Sequence, residues 1–117
     1  MRKTSKKIKE QYEYKVAWSE EDKVFIGRVA EFPSLAAHGD SPEAALKEIQ
    51  FVVAAVLEDL AEQREKTPEP LSIRKYSGKL NVRMPEYLHR ELASEAAWQK
   101  VSLNQLILAK LAKNLYK

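Results

Sequence analysis

Polar side chains recur at every second position near residue 80, and their chemical types suit contact with nucleic acid. The polar residues are Lys79, Asn81 and Arg83, and the apolar residues that alternate with them are Leu80, Val82 and Met84. An alternation with period two predicts a β-strand with one polar and one apolar face. Lysine and arginine can donate hydrogen bonds to guanine, and asparagine can pair with adenine. The polar face of this strand therefore has the chemistry needed to contact base edges.

The apolar face of the same strand needs a partner. A single strand cannot bury that face alone, and only two helical patterns follow it in the sequence. One strand and two helices, in about 40 residues, are too few to bury a hydrophobic core as a monomer. We therefore expect this part of the chain to form an intertwined homodimer, or a higher oligomer built from one.

The two helical patterns have clear start signals. Pro85 suits the beginning of a helix that runs to about Gln99, and Ser102 with Gln105 forms the capping box of the next helix. Apolar residues recur on one face of each helix at three- and four-residue spacing. The expected dimer core comprises Leu80, Val82, Met84, Leu88, Leu92, Leu103, Leu106, Ile107 and Leu111.

The first half of the chain predicts a small antiparallel sheet. Residues 12–18 and 24–29 alternate and are rich in aromatic and β-branched side chains, so they predict a hairpin. Residues 32–37 can supply a short third strand, and residues 71–73 can return to the sheet as a last strand.

A long amphipathic helix follows the predicted hairpin. Ser41 fits the N-cap, Pro42 suits the first turn, and the pattern continues to about Arg64. Its expected apolar stripe is Leu46, Ile49, Val53, Val56 and Leu60. The fold class predicted for the chain is therefore α+β.

Charge is segregated along the chain. Residues 1–15 carry six basic and two acidic side chains (+4), residues 16–66 carry five and eleven (−6), and residues 67–117 carry nine and four (+5). Such asymmetry indicates polyanionic partners for the ends and a basic partner for the middle. The predicted domains are a basic flexible leader at 1–9, an α+β domain at 10–75, and a DNA-binding and dimerisation domain at 76–117.

The composition argues against several classes of protein. The chain of 117 residues is 44% hydrophobic and 32% charged, and it has no cysteine and two histidines. No apolar run approaches the roughly 18 residues needed to span a bilayer, and no apolar stretch after the basic leader suggests a secretory signal. We expect a soluble cytoplasmic protein without a metal site or cofactor.

The alternating strand and the two helices resemble a ribbon-helix-helix DNA-binding module. The upstream sequence resembles the N-terminal domain of HicB-type antitoxins, at residues 25–29, 32–35 and 39–46 and at the join formed by residues 77–79. The resemblance extends over nearly the whole chain from about Tyr12.

This resemblance implies roles for particular residues and partners. Lys79, Asn81 and Arg83 take the base-reading positions, and the residues that bind DNA phosphates at the start of the second helix are Val101, Ser102, Leu103 and Asn104. The N-terminal domain is expected to be a degraded RNase H-like sheet that binds and blocks a small basic toxin ribonuclease, HicA. The implied function is that of an antitoxin in a type II toxin–antitoxin system, one that also represses its own operon by binding operator double-stranded DNA.

Two alternatives remain open on the residues alone. His38, Asp40 and Glu43, with the acidic residues Glu20, Glu21 and Asp22, could be assembled into a nuclease-like metal site. These residues have simpler explanations in a turn and a helix cap, His89 is expected at the surface, and no nucleophile–base pair is evident, so we expect no catalytic residue and no enzyme. The other alternative is a stand-alone ribbon-helix-helix transcriptional regulator whose N-terminal domain senses a ligand or a different partner.

Overall fold

The computed structural model describes residues 8–116, and the chain divides into two compact units, one ending at Ser77 and one beginning at Gly78. We call them the N-terminal and C-terminal units. Their elements are β1 (Tyr14–Ser19), β2 (Val24–Val29), β3 (Ala36–Gly39), α1 (Pro42–Glu62), α2 (Glu86–Gln99) and α3 (Leu103–Leu115). This arrangement confirms the predicted α+β class. The predicted basic leader falls largely on residues 1–7, outside the described residues, whereas residues 8–11 are helical.

The N-terminal unit contains a three-stranded antiparallel sheet in the order β1-β2-β3. The predicted hairpin is confirmed, with Trp18 opposite Phe25 across the β1–β2 pair. The third strand forms at Ala36–Gly39, later than predicted, because the preceding residues form a turn in which the Leu35 N–H donates to the carbonyl of Phe32 at 3.0 Å. One face of the sheet is covered by α1, and the other face is open.

Helix α1 begins as its sequence predicts. The Ser41 hydroxyl accepts a hydrogen bond from the backbone N–H of Ala44 at 3.1 Å, and Pro42 occupies the first turn. The stripe that packs on the sheet is rotated from the predicted one. The buried residues are Ala45, Ile49, Val53 and Leu57, whereas the predicted Leu46 is exposed. No helix within residues 8–116 is long and apolar enough to cross a membrane.

Two glycines explain which side of α1 meets the sheet. A Cβ atom built on Gly27 would lie 2.8 Å from the carbonyl oxygen of Ala45 and 2.9 Å from a methyl carbon of Ile49. A Cβ on Gly39 would lie 2.5 Å from the backbone nitrogen of Ala45. Since real side chains do not approach so closely, the helix backbone can rest against the sheet only where the strands carry glycine.

The chain after α1 is not a strand, and the prediction of a last strand at residues 71–73 is wrong. Two of its backbone groups bond to side chains rather than to a neighbouring strand. The Leu71 N–H donates to a carboxylate oxygen of Glu31 at 2.8 Å, and the Tyr12 hydroxyl donates to the carbonyl of Pro68 at 2.8 Å. Pro68 and Pro70 lack N–H donors, which further disfavours a ladder here.

Two tyrosines near this connection predict sensitivity to alkali. Burial raises the pKa of Tyr12 and of Tyr14 to about 12, and the Glu31 carboxylate adds to both shifts. An unfolded tyrosine titrates near pH 10, so the folded N-terminal unit retains protons that the unfolded chain loses between about pH 10 and 12. Its free energy of unfolding should fall as pH rises through this range, by about 1–3 kcal/mol per tyrosine.

Chemical denaturation at pH 8 and at pH 11 tests this expectation. A Trp98→Phe background leaves Trp18 as the fluorescent reporter of the N-terminal unit. Tyr12→Phe should lower stability at pH 8 by removing the hydrogen bond to Pro68, and it should reduce the further loss at pH 11. Tyr116→Phe, at an exposed position of the C-terminal unit, is the control. An equal alkaline loss with and without the Tyr12 hydroxyl would contradict the assignment.

Candidate nucleic-acid interface

The residues predicted to read bases lie in an exposed segment at the start of the C-terminal unit. Lys79, Asn81 and Arg83 are all exposed, and residues 79–85 carry no helix or strand in the single chain. The alternating apolar side chains are also exposed, 84% for Leu80 and 65% for Val82, while Met84 is partly buried. A strand is defined by hydrogen bonds to a neighbour, so a single copy cannot display one here.

Helices α2 and α3 pack on each other over a small area. Within the described part of the C-terminal unit only Ala96 and Leu106 are buried, each 4% exposed. An ion pair between the Lys110 ammonium and a Glu95 carboxylate oxygen, 3.1 Å apart, links the two helices at the surface. So small a core cannot offset the conformational entropy lost on ordering about 40 residues.

The other residues predicted for the dimer core are therefore uncovered or half-covered in one copy. Leu92, Leu103 and Ile107 are partly buried. The large apolar side chains exposed in this unit are Leu80, Val82, Tyr87, Leu88, Trp98, Val101, Leu108, Leu111, Leu115 and Tyr116. An apolar surface of this extent is typical of a protein interface rather than of a free monomer.

The two tryptophans differ in their surroundings. Trp18 packs edge-on against Phe25 with ring centroids 5.1 Å apart, and its indole N–H donates to Glu20 at 2.8 Å. Trp98, in contrast, is 85% exposed in a single chain. Helical spacing puts Trp98 on the same side of α2 as the exposed Tyr87.

The start of α3 has the geometry of an anion-binding helix terminus. The Ser102 hydroxyl accepts from the Gln105 N–H at 3.0 Å, and the Gln105 side-chain oxygen accepts from the Ser102 N–H at 2.9 Å. This confirms the predicted capping box. The Val101 N–H already donates to the carbonyl of Ala96 at 3.1 Å.

These hydrogen bonds reduce the number of predicted phosphate-binding residues whose N–H groups lack an acceptor from four to two. The N–H groups of Val101 and Ser102 have acceptors, whereas Leu103 and Asn104 occupy the first two helical positions, whose N–H groups have no intrahelical acceptor. Together with the positive end of the helix dipole, they are the groups best placed to hold a phosphate. Lys100, left-handed at φ 59°, ends α2 beside them.

The residues considered for a nuclease site lie in the N-terminal unit. His38 and Asp22 line an open depression of about 460 Å³ on the uncovered face of the sheet, together with apolar Val24 and Ile26 and with Arg28. Within residues 8–116 no three His, Cys, Asp or Glu side chains are grouped so that they could hold a metal ion. His89 is exposed on α2, as predicted.

Two residues of the N-terminal unit had no role in the sequence-based prediction. Glu31 joins the start of β1 to the chain after α1, because its carboxylate accepts from the N–H groups of Glu13 at 3.1 Å and Leu71 at 2.8 Å. Phe51 lies on the solvent side of α1 and is 72% exposed. Its position off the apolar stripe of α1 was visible from helical periodicity, whereas the partners of Glu31 are distant in sequence.

Comparison with known proteins adds one finding. The model of the HicB family matches residues 61–111, which run from the end of α1 through most of α3. This match supports a HicB-type protein and is consistent with an antitoxin role. No curated protein and no solved structure matches the chain significantly.

Proposed function

We propose that the chain is an antitoxin that blocks a HicA-like toxin ribonuclease with its N-terminal unit and represses its own operon with its C-terminal unit. The match to the HicB family supports the antitoxin role. The observation that carries the DNA-binding half is the alternation at residues 79–84, where exposed polar side chains separate exposed Leu80 and Val82.

The C-terminal unit acts in this proposal as a ribbon-helix-helix homodimer. Residues 79–84 of two copies pair as an antiparallel ribbon, which places Leu80, Val82 and Met84 of both copies against the helices. The exposed Leu88 and Leu111 join the same core. Burial of a large apolar side chain stabilises by about 1.5–3 kcal/mol, so several such residues from each copy supply the stability that one copy lacks.

The paired ribbon places its polar face in the major groove of operator DNA. Lys79, Asn81 and Arg83 from each copy donate to base edges, and the N–H groups of Leu103 and Asn104 hold the flanking phosphates. Neutralisation of phosphates releases counterions, so affinity should fall steeply as the salt concentration rises.

The N-terminal unit acts as a binding domain without chemistry of its own. The three strands and helix α1 are compatible with a degraded RNase H-like sheet. The net charge of −6 over residues 16–66 complements the basic surface that a ribonuclease needs to hold RNA. Blockade by coverage of the toxin's active site requires no catalytic residue in the antitoxin.

Co-production of the full chain with a HicA-type toxin tests both halves. We expect a stable complex, loss of RNA cleavage on addition of the chain, and salt-sensitive binding of the complex or the free dimer to the DNA upstream of its own gene. Absence of a complex together with unimpaired RNA cleavage would refute the antitoxin role. Equal affinity for that DNA and for scrambled DNA would refute operator binding.

A stand-alone regulator that senses a small ligand is the second candidate. The observation that favours it is the open depression of about 460 Å³ beside Ile26 and His38, a volume within the range of ligand sites. A regulator of this kind would bind its DNA but leave the toxin unbound and active.

A further inference from the structure

The solvent side of α1 carries an aromatic side chain that the fold of the N-terminal unit does not use. Phe51 is 72% exposed, whereas the opposite side of the same helix buries Ile49, Val53 and Leu57 in the core. Exposing a phenylalanine to this degree forfeits about 2 kcal/mol of burial free energy. A side chain placed in this way is a candidate anchor for a partner.

The neighbours of Phe51 on the helix surface leave its ring prominent. Ala54 and Ala55 follow at three and four residues and are too short to shield the ring. Lys47 and Glu48 precede it at the same spacing, and Glu58 lies two turns further on. The Phe51 ring therefore projects beyond the neighbouring alanine methyl groups, and charged side chains lie further along the helix in both directions.

Most of the exposed charged residues on α1 are acidic. The exposed acidic residues of α1 are Glu43, Glu48, Glu58, Asp59 and Glu62, and its one basic residue is Lys47. Within residues 8–116 none of these carboxylates forms a salt bridge. The helix thus presents net negative charge around a single aromatic side chain, and we call this surface, comprising Lys47, Glu48, Phe51, Ala55, Glu58 and Glu62, the Phe51 face.

We propose that the Phe51 face is the surface that contacts the toxin, and that it occupies the cationic surface on which the toxin holds RNA. The inference rests on the proposed antitoxin role. RNA presents regularly spaced anionic groups and flat bases that stack on protein side chains, and the Phe51 face offers carboxylates at helical spacing around one flat ring.

Charge complementarity decides between possible occupants of this face. A second copy of the chain would bring the same carboxylates against themselves, since a two-fold interface pairs identical surfaces, and like charges in contact oppose association. A basic protein would be attracted by the acidic residues of the Phe51 face, which favours association. It would also bury the Phe51 ring at the centre of the interface, which adds affinity.

Paired variants of the full chain test the proposal by titration against a purified HicA-type toxin. Phe51→Ala and Glu58→Lys should each weaken toxin binding about tenfold or more, because an interface anchor and an acidic rim residue are lost. The matched controls are Ile73→Ala, an exposed apolar residue outside α1, and Glu21→Lys, an exposed acid in the β1–β2 turn. Both controls should stay within about twofold of the unmodified chain.

A competition assay tests whether the chain and RNA occupy the same surface of the toxin. Inhibition of RNA cleavage should be relieved by excess RNA, and the Glu58→Lys chain should require less RNA for the same relief. If the unmodified chain binds the toxin and the Phe51 and Glu58 variants bind equally well, the Phe51 face is the wrong surface and the antitoxin role stands. If the unmodified chain does not bind the toxin, the antitoxin role itself fails. A change in the mass of the free chain on Phe51→Ala would assign the face to self-association and overturn the proposal.

Discussion

Replacement of Arg83 by alanine is expected to abolish the preference for operator DNA while leaving the dimer intact. Arg83 takes a polar position in the alternation at residues 79–84, where Leu80 and Val82 take apolar ones. A bidentate arginine–guanine contact supplies about 1–3 kcal/mol of discrimination, and a dimer loses two such contacts. The ratio of operator to random-sequence affinity should therefore fall by about 2–6 kcal/mol.

A matched control separates base reading from bulk charge. Arg90→Ala removes the same charge from an exposed position on α2. It should weaken binding to operator and random DNA by similar factors, as the loss of a phosphate contact does. Fluorescence anisotropy on both DNA sequences, with light scattering for the dimer mass, gives the two readouts. If the Arg83→Ala chain keeps its preference for operator over random-sequence DNA, the ribbon does not read the operator through Arg83.

Replacement of Val82 by aspartate is expected to destroy both the dimer and DNA binding. Val82 is 65% exposed in one copy, so the substitution costs the single chain little. In the proposed dimer it would bury two carboxylates against the apolar residues of both copies, at a cost of several kcal/mol for each buried charge. We expect a monomer by sedimentation and a loss of DNA affinity of at least about 100-fold.

The neighbouring position provides the control for this second prediction. Asn81→Asp places the same carboxylate one residue away, on the polar side of the alternation. It should leave the dimer mass unchanged and weaken DNA binding through repulsion from phosphates. A stable dimer of the Val82→Asp chain would show that residues 80–84 do not lie in the dimer core.

Local patterns predicted the elements whose hydrogen bonds close within a few residues. Ser41 caps α1 and Ser102 with Gln105 caps α3, because each cap needs only residues within the same turn. The β1–β2 hairpin was predicted in the same way, since alternation and a polar turn define it.

Predictions that depended on distant contacts were less accurate. Residues 71–73 have an apolar pattern suited to a strand, but the Leu71 N–H bonds to the Glu31 carboxylate forty positions away. The side of α1 that faces the sheet depends on the close approach of Gly27 to Ala45. Periodicity predicted Leu46 on this side because it ranks residues by hydrophobicity and contains no information about backbone proximity.

The sequence by itself determined the β1–β2 hairpin, the caps of α1 and α3, the alternation at residues 79–84 and the segregation of charge, because each depends only on residue types and their spacing. Only the tertiary structure decided which groups remain available for partners. It gave the Leu71 N–H an acceptor in the distant Glu31 carboxylate, and it buried Ala45 of α1 while leaving Leu46 exposed. A polar group or side chain can bind a partner only if the fold itself does not use it, and contacts between residues distant in sequence are visible only in the tertiary structure.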